Sequence, residues 1–162
     1  MRFCLSLLII VALSAEERPD VVIILADDFG WGEIGGTAEL EPTPHIDRMA
    51  AAGIKFTQGY VASPICSPSR CGLLTGQHPA RWRITSYLQS RKGNAECGQA
   101  DYLSAQAPTL PRFLQAAGYA TAHIGKWHLG GGRDVTDAPK FSAYGYDLGM
   151  GTYESPEPHP DI

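Results

Sequence analysis

The sequence predicts an α/β fold with a mostly parallel sheet covered by helices, and three observations carry that expectation. Residues 20–28, DVVIILADD, form a continuous apolar run dense in β-branched side chains that ends on two acids. A strand buried on both faces reads this way, and such strands belong to parallel sheets. Two shorter runs, IKFTQGY at 54–60 and YATAHI at 119–124, alternate with segments of helical character, the order expected of an α/β layer structure. Finally, 162 residues fit one domain and can bury a core.

The elements follow in order. The N-terminus, MRFCLSLLIIVALSAEERPD, places Arg2 before an apolar stretch and then small residues at Ser14 and Ala15. That is the layout of a secretory signal peptide over residues 1–15. The stretch is shorter than the ~20 residues of a spanning helix, so the expectation is export, to a periplasm or outside, without a stable membrane span. After the first strand, FGWGEIGGTAELEPTP is a Gly- and Pro-rich loop. In TPHIDRMAAAG, Thr43 can cap a helix, Pro44 suits its first position and Gly53 its left-handed stop. Ile46, Met49 and Ala50 share one face of that helix.

A strand at 54–60 comes next, then a helix over about 68–75 in which Leu73 and Leu74 face the core. Residues 77–108 read as irregular. TLPRFLQAAG, at 109–118, reads as a capped helix with Pro111 in its first turn, followed by the strand at 119–124. From Asp134 onward the sequence is loop-like. A formal net charge of −4 gives no basic footprint for nucleic acid. With Cys4 inside the signal, Cys66, Cys71 and Cys97 remain. An odd count in an oxidising compartment leaves one thiol with another fate. If that thiol is Cys66, Cys71 and Cys97 could pair.

Ligands of open α/β sheets bind at the carboxyl ends of the strands, which directs attention to three places. Asp27 and Asp28 close the first strand and suit a hard cation such as Ca²⁺ or Mg²⁺. Neighbours on an extended strand point oppositely, so both reach one ion only if the chain bends there; a solvated pair of turn acids is the alternative. The glycines that follow make a formal G-x-G-x-x-G, but Pro42 and Pro44 replace the helix such a motif needs. In CSPSRCGLLTG, Cys66 sits where a helix begins, beside unpaired N–H groups that favour an anion. Arg70 lies one turn further on the same face with a planar fork for an oxyanion. In GKWHLG, Lys126 and His128 are two apart and project to one side of an extended chain. A buried inert cysteine and a structural histidine are the plainer readings of these last two motifs.

Together, CSPSR with its trailing LTG, VIILADDFGWGEIG, TPHIDRMAAAGIKFTQGY and GKWHLG resemble the type I sulfatases, a branch of the alkaline-phosphatase-like superfamily. The likeness runs from about Asp20 to at least Asp147. It implies an α/β/α sandwich and hydrolysis of a sulfate ester. It further implies that Cys66 is converted to formylglycine by a formylglycine-generating maturation enzyme, and that one hydroxyl of the hydrated aldehyde attacks sulfur while the other expels sulfate. Asp27, Asp28 and residue 66 would bind a divalent cation, usually calcium. Arg70 would steady the hydrate, and Lys126 and His128 would contact sulfate or the residue 66 hydroxyls.

The substrate expected from the resemblance is a sulfated small molecule or carbohydrate. Members of the family are longer, and their later sequence adds a second acid/amide pair, a histidine and a lysine. Asp134, Asp137 and Asp147 lack that amide neighbour, so residues 19–162 read as the N-terminal portion of a sulfatase domain, an incomplete sandwich. Phosphoester or phosphonate hydrolysis is the rival within the superfamily, and an inactive fragment is the rival outside enzymes.

Overall fold

Strand pairing is parallel, as the alternation of strand and helix predicts. In the computed structural model, which describes residues 18–33 and 42–152, β1 (Ala122–Lys126) pairs with β2 (Leu148–Thr152), with Ala122 opposite Leu148 and Lys126 opposite Thr152. β2 falls in sequence that reads as loop. Its alternating Gly149 and Gly151 hide it: a Cβ at Gly149 would stand 2.0 Å from the Phe141 ring. Glycine in this strand marks a side chain lying on the backbone.

Among the described residues four α-helices accompany the sheet: α1 (Pro44–Ala52), α2 (Cys66–Thr75), α3 (Arg91–Glu96) and α4 (Leu110–Ala116). α2 ends on Gly76 at φ 64, the left-handed stop that glycine takes without penalty. α4 starts after Thr109 as expected, but the Thr109 hydroxyl donates to the Tyr144 carbonyl (2.5 Å) and does not cap the helix.

The core gathers Cys71, Ile84, Leu88, Leu103, Ala107, Trp127, Leu129, Phe141 and Tyr144. Four of these, Ile84 to Ala107, lie in the stretch without sequence periodicity. Side chains there replace the missing ladders. Asn94 accepts from Gln89 N–H (2.9 Å) and donates to the Gln89 carbonyl (3.1 Å). Gln99 accepts from Ser86 N–H (3.0 Å) and donates to the Tyr87 carbonyl (3.0 Å). Both amides are buried, so backbone groups that would otherwise need water are satisfied inside. Trp127 adds edge contacts to His123, Phe141 and Tyr146.

Several expectations are corrected. Residues 20–28 and 54–60 form no strand. A strand exists only where a neighbour offers ladder partners, and among the described residues none is presented to either run. Ile24 and Phe56 are accordingly exposed, and Val21, Val22, Ile23 and Leu25 line a cavity of about 570 Å³ with Leu73, Leu114 and Ile124. Helix α1 forms, yet it buries none of its residues, and Gly53 has φ −120, outside the left-handed region. Leu73 is half exposed while Leu74 packs on the core. Cys71 and Cys97 are free thiols, one buried and one exposed; burial pushes the Cys71 thiol up to about 11, against a lowering hydrogen bond from Thr75.

Gly145 carries a testable consequence. Its φ of 88 is left-handed, and a Cβ would stand 2.6 Å from the Arg112 amide nitrogen. Arg112 in turn donates to the carbonyls of Ala105, Ala107 and Ala143. Gly145→Ala is expected to cost about 2–4 kcal/mol from strain and overpacking together. The shift in urea midpoint measures it.

Candidate active site

Three segments far apart in sequence converge on the Asp27 carboxylate. Asp27 follows the apolar run, Arg70 lies on α2 one turn beyond Cys66, and Lys126 ends β1. Asp27 Oδ1 accepts from an Arg70 terminal nitrogen at 2.9 Å, and Oδ2 accepts from Lys126 Nζ at 2.5 Å. The other terminal nitrogen of Arg70 donates to the Lys126 carbonyl at 2.5 Å. The side chains of Arg70 and Lys126 are 11% and 20% exposed, against 35% for Asp27. Desolvation works to raise the Asp27 carboxyl. The Lys126 and Arg70 hydrogen bonds and charges outweigh it and hold the group below its usual range.

The chain bends at Asp27 and Asp28, and Asp28 takes φ 53. The turn that two neighbouring acids need in order to face one ion is therefore present, with Asp28 exposed. Cys66 is the first residue of α2 and half-buried. Neither Cys66 nor Ser67 caps this helix, because Ile65 occupies the capping position.

His128 does not join Lys126 on one side of a strand. β1 ends at Lys126, and His128 turns to φ 51, where it is 1% exposed with Nε2 3.0 Å from the Leu88 carbonyl. The N–H of the same Leu88 donates to the buried Ser67 hydroxyl at 3.0 Å. Leu88 thus bridges the first turn of α2 and the histidine, a link that sequence spacing does not signal. Ser67→Ala would remove the acceptor of this buried hydrogen bond. The expected loss is about 1–3 kcal/mol, read from thermal unfolding.

Arg70 Nε is buried with no hydrogen-bond partner among the described residues. A buried donor left over in this way fits an oxygen acceptor at residue 66, one turn back. Asp27 and Asp28 supply only oxygen, which fits a hard divalent cation. A cation held there would share Asp27 with Arg70 and Lys126. Among the described residues no group of three or more His, Cys, Asp or Glu could hold a metal ion.

Against known proteins, the family model described as Sulfatase matches residues 19–160. The chain belongs to the sulfatase family. It is 41% identical over 134 residues to arylsulfatase G of Rattus norvegicus, covering 82% of this chain and 24% of that protein. N-acetylgalactosamine-6-sulfatase of Mus musculus is 41% identical over 128 residues, covering 78% and 25%. This sulfatase chain therefore spans about a quarter of the length of the curated relatives it matches.

Among solved structures, Ps i-CgsB superposes with TM-score 0.66 at 30% identity, covering 82% of this chain and 27% of that one. It has also been solved in complex with k-i-k-neocarrahexaose. A structure from work on metabolism of multiple glycosaminoglycans by Bacteroides thetaiotaomicron gives TM-score 0.58 at 36% identity, covering 70% and 23%. The alkaline-phosphatase-like α/β fold of these neighbours is the one this chain adopts in part. The sulfatase family is formylglycine-dependent and uses a divalent cation. Among the described residues no helix is long and apolar enough to cross a membrane.

Proposed function

We propose that the whole protein is a sulfuric ester hydrolase acting on a sulfated carbohydrate, and that the residues described here form the nucleophile half of its site. The observation that carries this reading is the Asp27–Arg70–Lys126 cluster, joined through α2 to Cys66. The neocarrahexaose complex of a related structure supports the carbohydrate class.

Formylglycine at residue 66 and a divalent cation, calcium in our reading, supply the attacking hydroxyl and the positive charge when present. The chain's own residues do the rest. Asp27 and Asp28 would hold the cation at the bend. Arg70 Nε, buried and unsatisfied, would donate to an oxygen on residue 66 and fix its orientation. Lys126 Nζ, which meets Asp27, would carry its charge to a sulfate oxygen. His128, locked by the Leu88 carbonyl, would contact sulfate or residue 66 only through its remaining ring edge, with Ser67 and Leu88 setting its distance from α2.

Residues 1–15 are read as a signal peptide and lie outside the described residues; N-terminal sequencing of exported protein tests them. The catalytic reading is tested on the whole protein produced with a formylglycine-generating enzyme. Peptide mapping is expected to find the aldehyde at residue 66, and aryl sulfate is expected to turn over faster than aryl phosphate. Faster phosphate turnover moves the protein to the phosphoester branch. Unmodified sulfur at residue 66 in active protein removes the mechanism.

A further inference from the structure

A second cavity, of about 660 Å³, is lined by none of the Asp27 cluster and lies between the turn at Pro79–Trp82 and residues 99–106. Arg81, Trp82, Arg83 and Tyr102 line it. Arg91 also reaches it but is neutralised by Asp101 and Asp137. Arg81 and Arg83 have no carboxylate partner among the described residues, and Arg83 makes one long side-chain bond, to the Gly98 carbonyl at 3.3 Å. Two uncompensated guanidinium groups face one space in a chain whose formal charge is −4.

Two further features single out this place. Trp82 Nε1 is buried and donates to nothing among the described residues, and a buried donor without an acceptor calls for an explanation. Arg83 holds φ 55, a left-handed conformation that a non-glycine residue adopts at a cost. Its backbone is pinned there: its N–H donates to Ala80 (3.0 Å), and its carbonyl accepts from Ala100 (2.8 Å). Arg83 and its neighbours Arg81 and Trp82 all line the cavity.

We infer that this cavity is an anion site that takes a sulfate carried on a sugar ring of the polysaccharide substrate. The guanidinium forks suit tetrahedral oxyanions, while the Trp82 and Tyr102 rings offer an apolar face with a polar edge for the sugar. The inference rests on the sulfatase reading for its substrate class, but none of the residues that line this cavity belongs to the Asp27 cluster.

The test uses the whole protein with Cys66→Ala, so that binding is measured without cleavage and stands apart from the aryl sulfate assay. Three probes are titrated by calorimetry and Trp fluorescence: a sulfated neocarrahexaose, the same sugar desulfated, and inorganic sulfate alone. The sulfated sugar is expected to bind best, and Arg81→Ala with Arg83→Ala to weaken it tenfold or more, with less than a twofold change for the desulfated sugar. The lysine double variant, which keeps the charges, is expected to recover part of the loss. Equal affinity for both sugars overturns the inference, as does undiminished binding by the alanine variant. Inorganic sulfate binding as tightly as the sulfated sugar overturns the sugar contact. Should aryl sulfate turnover fail while these differences persist, the catalytic reading falls and the anion site stands.

Discussion

Cys66→Ala is expected to lower aryl sulfate turnover by about 10⁵-fold or more, the scale of removing a nucleophile, while leaving the fold intact. The separation of the two effects follows from position. Cys66 is half-buried at the first residue of α2, and the backbone bond that starts the helix, from Ser69 N–H to the Ile65 carbonyl at 3.0 Å, does not involve its side chain. Alanine suits a helical position, so stability should move by less than about 0.5 kcal/mol.

Cys66→Ser is the sharper variant. A serine hydroxyl can attack sulfur and expel the alcohol, but residue 66 then holds an ordinary sulfate ester with no second hydroxyl to push sulfate off. One equivalent of alcohol is released and the enzyme stops, with the sulfo group retained on the peptide containing residue 66. Steady turnover by either variant within tenfold of the parent would falsify the role of residue 66.

The local signals in the sequence were legible wherever they were self-contained. Pro44 at a helix start, Gly76 at a helix stop and the CSPSR turn specify their conformations through φ restrictions and capping chemistry, and α1, α2 and α4 appear where those signals stand. Pairing was legible only in kind. The run DVVIILADD states that it wants burial on two faces, but the residues that would bury it are not among those described, and Ile24 remains exposed.

The core illustrates the opposite limit. Ile84, Leu88, Leu103 and Ala107 carry no period, and around them Asn94, Gln99 and Arg112 hold the backbone of Gln89, Tyr87 and Ala107 with side-chain hydrogen bonds that no spacing rule announces. In the candidate site, the types of residue were readable but not their partnership. Lys126 and His128 look like a pair in sequence, whereas the chain turns between them and Lys126 instead meets Asp27, 99 residues away. His123 reads as a core residue; burial lowers its imidazole, and it stacks on Phe141.

Asp27→Asn separates the electrostatic part of the site from its shape. Asparagine keeps the size and one acceptor oxygen, but Arg70 and Lys126 are then left facing each other without the negative charge between them. Loss of a positioned charge is expected to reduce aryl sulfate turnover by about 10²–10³-fold. The cost in stability is smaller, about 1–2 kcal/mol, because the 35% exposed carboxylate is partly screened by water.

The pH dependence identifies the source of that cost. The folded state holds the Asp27 carboxyl below its ordinary value, so its contribution is complete above the unfolded value of about 3.9 and is lost as pH falls through the lower folded value. Compared free of divalent cation, parent and variant should therefore differ fully at pH 5 to 7, and converge below roughly pH 4. Asp147 is also held low, by Thr121 and Gln115, so both proteins lose stability in acid, and only the difference between the two curves reports on Asp27. Curves that stay parallel through the acid range would mean that the carboxylate is not charged between Arg70 and Lys126, and the three segments would then need another reason to meet.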